Sequence, residues 1–338
     1  MKTISTSLFL LLSILTHAQS TFRLAFGSCS QQANQEQLWE EVVASQPDLW
    51  IWGGDNIYAD TKNLHDLEKY YSEQKNRSSY QQLLATCPVT GTWDDHDYGT
   101  NDGGKYFSFK KESKKIAANF LGFDKQHDIW KHEGLYNSTI LQKGKVSVKI
   151  INLDTRYFRD TVYKYYVVDT LTKKRISYYR TNPEGDILGE EQWTWLEREI
   201  KNSSANLILI NSSIQLIAQD HRFEKWGNFP KALQRFYDLL ARYPNKKVVV
   251  ISGDRHIAEL SKRSIPGLPY ALYDFTCSGL THTWSEVWEE ENQYRVGDLI
   301  IQKNFGLLDV EINEKKVKVT FSIIGTNSVV HQRVEAKL

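Results

Sequence analysis

Between Thr92 and Asp102 the chain reads Thr92-Trp93-Asp94-Asp95-His96-Asp97-Tyr98-Gly99-Thr100-Asn101-Asp102, four carboxylates and a histidine within nine residues. Gathered in a folded interior, such groups repel one another at a cost of several kcal/mol unless positive charge sits among them. Any fold must therefore bring this stretch to solvent or to a place where a cation neutralises it. The flanking Trp93 and Tyr98 argue against a fully solvated loop. The preceding Pro88-Val89-Thr90-Gly91 reads as a short buried strand ending in a loop. A bound cation is the simpler expectation, and an acidic turn with a helix-capping Asp is the plain alternative.

Similar junctions recur along the chain. Phe22 to Phe26 reads as a strand that breaks at Gly27-Ser28-Cys29. The apolar run Asp48-Leu49-Trp50-Ile51-Trp52 breaks at Gly53-Gly54 and leads into Asp55-Asn56-Ile57-Tyr58-Ala59-Asp60. Helical spacing fills the intervals over 37–43 and 64–84. This βαβαβ layout predicts parallel strands whose carboxyl ends share one edge, so that Cys29, Asp55 and Asp95 converge. Further on, residues 107–123 read as a helix and 133–149 as a hairpin. Val146 to Asp154 is a strand followed by Thr155-Arg156-Tyr157-Phe158-Arg159-Asp160, and 161–180 reads as an irregular insertion. Helices are expected over 189–200 and 230–243, the latter with Pro at its start. Strands are expected at 206–210 and 247–252, the second ending in Gly253-Asp254-Arg255-His256. After 272–276 comes Ser278-Gly279-Leu280-Thr281-His282-Thr283-Trp284, and 304–312 pairs with 316–324. No repeat or composition break divides residues 19–338, so one α/β domain is expected.

The first 18 residues have a different character. Met1-Lys2 supplies a positive start, Leu8 to Leu15 an apolar stretch, and Thr16-His17-Ala18 a small-residue cleavage site. That is the pattern of a secretory signal peptide, too short to span a bilayer. No later run is apolar enough to be transmembrane, and the expected address is secreted or periplasmic. A net charge of +1 gives no sign of a stable nucleic-acid partner. The charged blocks 110–115 and 289–291 read as solvated faces. Three cysteines, Cys29, Cys87 and Cys277, leave at least one unpaired in an oxidising compartment. Cys29 is either a buried small hydrophobe or a metal thiolate. Pairing of Cys87 with Cys277 is open.

The strand-end groups are Cys29, Asp55, Tyr58, Asp94, Asp95, His96, Asn101, His221, Asp254, His256 and His282. Mixed carboxylate, imidazole and phenolate donors suit first-row transition metals, whereas an oxygen-only subset suits Ca²⁺ or Mg²⁺. Two ions sharing a carboxylate would clamp the attacking and leaving oxygens of an in-line displacement, with a metal-activated hydroxide as nucleophile. No Gly-x-Ser-x-Gly elbow, Walker loop or dinucleotide fingerprint competes with that chemistry.

Gly27-Ser28-Cys29, Gly54-Asp55-x-x-Tyr58-x-Asp60, Trp93-Asp94-Asp95-His96-Asp97, Asp154-x-Arg156 and Ser252-Gly253-Asp254-x-His256 occur in the order seen in PhoD-like alkaline phosphatases. The chain resembles that family, within the calcineurin-like metallophosphoesterase superfamily, over about residues 22–325. The resemblance implies a four-layer α/β/β/α sandwich with metals at the strand ends and hydrolysis of phosphate mono- and diesters. Two or more ions are implied, Ca²⁺ and Fe³⁺ in the best-known branch, with Zn²⁺, Mn²⁺ or Mg²⁺ as alternatives. Asp55 is then similar to the carboxylate that bridges both metals. Cys29 and Tyr58 resemble ligands of the iron-like site, and Asp254 and His256 close the set. Asp95 is the implied ligand of the acidic block, with Asp94 not separable from it. His96 faces the leaving oxygen and is oriented by Asp97. Asn101 is a ligand or a phosphate contact. Larger members carry an N-terminal β-domain and a twin-arginine signal, and neither is expected here, which implies a short branch.

Three residues have two readings each. Arg156 grips substrate phosphate or pairs with Asp154 or Asp160. His221 and His282 contact substrate or pack. Two other functions compete with a small-molecule phosphatase. One is a phosphodiesterase specific for phospholipid, nucleotide or cell-wall polymer. The other is a catalytically silent secreted metal-binding protein.

Overall fold

The computed structural model describes residues 20–286, 290–313 and 316–338. The expected signal peptide and Glu289 lie outside the described residues. In chain order the elements are β1 (Ser20–Gly27), α1 (Trp39–Ala44), β2 (Leu49–Gly53), α2 (Leu64–Asn76), α3 (Ser78–Thr86), β3 (Val89–Thr92), α4 (Asp95–Tyr98) and α5 (Lys110–Phe120). There follow β4 (Asn137–Lys143), β5 (Val146–Asn152), β6 (Tyr163–Val168), β7 (Arg175–Arg180), α6 (Gly189–Lys201), β8 (Leu207–Ser212) and α7 (Pro230–Arg242). The chain ends with β9 (Val248–Ser252), β10 (Ala258–Ser264), β11 (Ala271–Cys277), β12 (Phe305–Asn313), β13 (Lys316–Ile324) and β14 (Val330–Lys337).

Two six-stranded sheets form, in the orders β14-β13-β12-β1-β2-β3 and β10-β11-β9-β8-β5-β4. Side chains alternate between the two faces of a strand. Leu24, Phe26, Leu49 and Ile51 of the first sheet therefore meet Ile150, Leu209, Val249 and Phe275 of the second in a shared core. Trp50 and Trp52 point the other way, into a cluster under α1, α2, α3 and α5. Ile208, Ile210, Val248 and Val250 face α6 and α7. Three apolar interfaces separate four layers, α/β/β/α, as expected.

Parallel pairing sets the site. Gly27 aligns with Trp52 and Gly53 with Thr92 in the first sheet, while Asn152 aligns with Asn211 and Ser212 with Ser252 in the second. Two positions past the ends of β1, β2, β3, β5 and β9 stand Cys29, Asp55, Asp94, Asp154 and Asp254. Just beneath this edge buried asparagines join the sheets. Asn211 donates to the Trp52 carbonyl and to Asn152, each at 2.8 Å, and Asn152 donates to Asn137 at 2.8 Å. A buried amide left without partners costs about 1–3 kcal/mol, so this ladder fixes how the two sheets align.

Several elements differ from the expectations. Residues 64–84 form two helices, because Arg77 between them is extended. The insertion at 161–180 is a regular antiparallel hairpin of β6 and β7. Strands β10 and β14 have no counterpart among the expected elements. Two charges read as solvated are buried. Lys114 donates to the carbonyls of Ile129 (2.5 Å) and His132, and Glu290 pairs with Arg255 at 2.5 Å. All three cysteines are free. Cys87 packs with the cluster under α1–α3, whereas Cys277 lies in the core between the sheets.

Candidate metal centre

The carboxyl ends of the parallel strands bring three sets of donor atoms together, each within 4.8 Å: Cys29, Asp55 and His256; Asp55, Asp95 and His96; and Asp55, Asp94, Asp95 and Asp254. Asp55 belongs to every set. The Tyr58 hydroxyl joins the first, 2.9 Å from His256 Nε2 and 3.3 Å from Asp55 Oδ2. Cys29 Sγ lies 3.6 Å from the same Asp55 oxygen.

The backbone that presents these groups is unusual. Cys29 (φ 59°), Asp55 (φ 50°), Asp254 (φ 69°) and His256 (φ 53°) are all left-handed. For residues with a side chain that conformation is uncommon and persists where surrounding contacts over-determine it. Here it turns each side chain off the strand axis toward the shared edge. Close approach of the loops helps. A Cβ at Gly54 would sit 2.7 Å from Asp94 Cβ, and one at Gly253 would sit 2.5 Å from Ser28 Oγ.

The acidic stretch folds as a one-turn helix, α4, rather than a loop. Asp94 caps it, and Asp97 Oδ1 accepts the Asp94 amide at 2.6 Å. Asp97 also accepts from the Asn56 amide (3.1 Å) and the Tyr71 hydroxyl (3.0 Å) and is fully buried. It faces the fold, so the expected orienting contact to His96 is absent. Asp60 makes that contact instead, its Oδ2 2.6 Å from His96 Nδ1, while the imidazole stacks on the Tyr58 ring at 4.3 Å. Asp60 stands in the sequence motif without an assigned role. No local pattern could supply one, because its partner lies 36 residues away along the chain.

Arg156 is fully buried and does not face solvent. Its Nε donates to Asp94 Oδ1 and its Nη1 to Glu224 Oε2 at 2.7 Å, so its guanidinium pairs with neither Asp154 nor Asp160, while its buried Nη2 has no hydrogen-bond partner among the described residues. Asp154 instead accepts the amides of Leu135, Arg156 and Tyr157. Glu224 also holds Arg159 at 3.1 Å, and Arg159 donates to the carbonyls of Asp102 and Gly103. No sequence pattern singles out Glu224, which lies in an irregular loop. His221 is buried, its Nδ1 accepting the Phe223 amide at 3.2 Å, and it belongs to none of the three donor sets. His282 reaches the site, its ring 4.4 Å from that of His256 and 5.2 Å from Tyr58. Asn101 is exposed, and its Nδ2 donates to Asp95 Oδ2 at 3.3 Å.

The electrostatics ask for positive charge. Burial, with the repulsion of Asp94 and Asp95, pushes the carboxyl groups of Asp55 and Asp254 well above the ordinary range. Burial pushes Asp94 up to about 6 in spite of Arg156. Burial also acts on Asp95, but Arg156, His96 and the Asp102 amide outweigh it and hold the group low. Burial opposes charge on His96, yet Asp55, Asp60 and Asp95 together outweigh it and raise the imidazole to about 11. His256 falls to about 3 through burial beside His282 and Arg255, so it is neutral and able to donate a lone pair. Asp94 Oδ1 is taken by Arg156 and by Ser213 Oγ (2.7 Å), whereas its buried Oδ2 has no hydrogen-bond partner among the described residues. An orphaned carboxylate oxygen among converging donors fits a cation.

The family model for PhoD-like phosphatases matches residues 126–320, more than half of the chain, though a shorter span than the motifs implied. Alkaline phosphatase D of Bacillus subtilis (strain 168) is 22% identical over 276 residues, which cover 70% of this chain and 46% of that protein. This chain thus spans about half the length of that relative. A solved structure of PhoD superposes with a TM-score of 0.70 at 17% identity, covering 94% of this chain and 68% of that one. A structure of GAP50, described as the anchor in the inner membrane complex of Plasmodium, gives 0.61 at 12% identity, covering 94% and 89%. These likenesses to solved structures establish the fold, and the match to the family model establishes the family: the chain belongs to the PhoD-like phosphatases.

Proposed function

We propose that this protein is an exported, metal-dependent phosphoric ester hydrolase acting on small phosphate mono- and diesters. The observation that carries the reading is the sharing of Asp55 by three converging donor sets, with His96 held by Asp60 at their rim. Cys29, Tyr58, Asp55 and His256 would hold a transition ion, for which we favour Fe³⁺. Asp55, Asp94, Asp95 and Asp254 would hold a harder ion, for which we favour Ca²⁺. Bound cations supply Lewis-acid activation of water and neutralise charge on the phosphoryl oxygens.

The chain's own residues do the rest. Asp60 engages Nδ1 of His96, which leaves Nε2 to deliver a proton to the leaving oxygen. Tyr58 and His282 wall the site with their rings, and Arg156 holds Asp94 so that one oxygen faces inward. Asn101 steadies Asp95 at the open rim. We assign residues 1–18 to a signal peptide and 19–338 to one catalytic domain. No helix among the described residues is long and apolar enough to cross a membrane.

Metal analysis of the purified protein, with a chromogenic monoester and diester assayed side by side, tests the proposal. Bound metal with turnover of either ester is the expected result. Absence of metal overturns it, and metal without turnover points to a silent binding protein.

A further inference from the structure

We propose that the cavity between the β6–β7 hairpin and Trp284 receives the non-reacting substituent of a phosphate diester. It favours a substituent that carries a second anionic group on a ring scaffold, as in a nucleoside 3′-phosphate. This rests on the hydrolase reading of the adjoining centre. The cavity has a volume of about 290 Å³ and is lined by Lys174, Arg175 and Ile176 of the hairpin and by Arg222 and Trp284 opposite.

The hairpin is tied to the metal centre. Lys164 pairs with Asp102, and the Tyr179 hydroxyl donates to Asp102 Oδ1 at 2.6 Å. The Asp102 amide in turn donates to Asp95 Oδ2 at 2.6 Å. On the facing side the Trp284 ring stacks on the ring of His256 at 5.2 Å, and its indole N–H donates to the Arg255 carbonyl at 2.8 Å. The cavity therefore lies one aromatic ring away from a candidate metal ligand.

Its chemistry suits a ring-bearing anion. Residues 163–180 contain Lys164, Lys173, Lys174, Arg175 and Arg180 against the single acid Asp169. Asp169 also lines the cavity, its Oδ1 accepting the amides of Leu171 (2.7 Å) and Thr172 (2.9 Å), and stands as one acid against Lys174, Arg175 and Arg222. Arg222 lines the cavity, and its Nε is buried with no hydrogen-bond partner among the described residues. Trp284 lies between the rings of His256 and Phe223 and offers its edge, which with Ile176 makes an apolar wall that a planar ring meets edge to face. The volume is at the small end of ligand sites, which run to about 300–1,000 Å³, so it accommodates one ring with its charged group rather than a length of polymer.

The test compares kcat/KM of the metal-loaded protein for the p-nitrophenyl 5′-esters of thymidine 5′-phosphate and thymidine 3′,5′-bisphosphate, with methyl p-nitrophenyl phosphate as the minimal diester. The 3′-phosphate is expected to raise kcat/KM about 10- to 100-fold over the thymidine ester that lacks it. Arg222→Ala, and separately the exposed Arg175→Ala, are expected to lower that ratio. A wild-type ratio within about twofold of unity, or a ratio that neither variant moves, overturns the proposal. If no ester turns over, the hydrolase reading fails on its own. Calorimetric titration with thymidine 3′,5′-bisphosphate then decides the subsite: binding that Arg175→Ala weakens supports it, and no binding to the wild type overturns it.

Discussion

Asp60 Oδ2 lies 2.6 Å from His96 Nδ1, although Asp97 is the next residue along the chain from His96. The sequence neighbour is held by two backbone amides and a tyrosine, and the distant carboxylate takes the imidazole. The two aspartates therefore have separable contacts, one with the His96 imidazole and one with the fold.

Asp60→Asn is expected to lower turnover about 10- to 100-fold while metal content is retained, since carboxylates that orient a functional histidine carry effects of that size. Asp60 is also among the carboxylates that raise the pKa of His96. A general acid must be protonated, so its loss should move the alkaline limb of the pH–rate profile to lower pH. Full turnover with an unmoved limb would remove Asp60 from the mechanism.

His96→Ala is expected to slow turnover by about 10²–10⁴-fold with metal retained, as for loss of a general acid. Steady-state kinetics alongside metal analysis checks this, and an unchanged rate demotes His96 to structure.

Asp55→Asn should abolish both metal binding and activity, because one substitution weakens all three donor sets. Elemental analysis by mass spectrometry gives the answer directly. Wild-type metal stoichiometry in that variant would show that the ligand assignment is wrong.

Arg156→Met should destabilise the protein by about 3–5 kcal/mol, because it leaves Asp94 buried without its cation and Glu224 with Arg159 alone. Urea unfolding measures this. The double variant Arg156→Met, Asp94→Asn is expected to recover part of the loss, since Asp94 then no longer carries an uncompensated charge.

Chelated protein should lose stability as pH rises. Asp94 and Asp97 are pushed by burial to about 6 and about 7, above the unfolded aspartate value of about 3.9. The folded state then binds these protons more tightly than the unfolded one. Their contribution is fully present below about pH 4 and is lost as pH rises through 6 to 7. Calorimetric Tm values across that window should fall in chelator, and added metal should flatten the fall. A chelated Tm that climbs steadily from pH 4 to 8 would contradict this picture.

Much of the scaffold is legible in local pattern. The β-rich runs at 22–26, 48–52 and 247–252, each breaking at glycine, mark strand ends, and the topology of intervening helices implies that Cys29, Asp55 and Asp95 meet. The hairpin at 163–180 is not legible, because its residues stay largely exposed and no buried face imposes alternation. The burial of Glu290 and Lys114 is equally hidden, because a charge run reads as solvated until its partner is known.

By itself the sequence determined which residue types stand at the strand ends, because strand period and glycine breaks act over a few positions. Only the tertiary structure decided which carboxylate each cation or imidazole meets. His96 finds Asp60 across 36 residues, and Arg156 finds Asp94 across 62 and Glu224 across 68. The physical reason is that side-chain direction past each strand end depends on left-handed backbone turns and on the alignment of two packed sheets, which no short stretch of chain encodes.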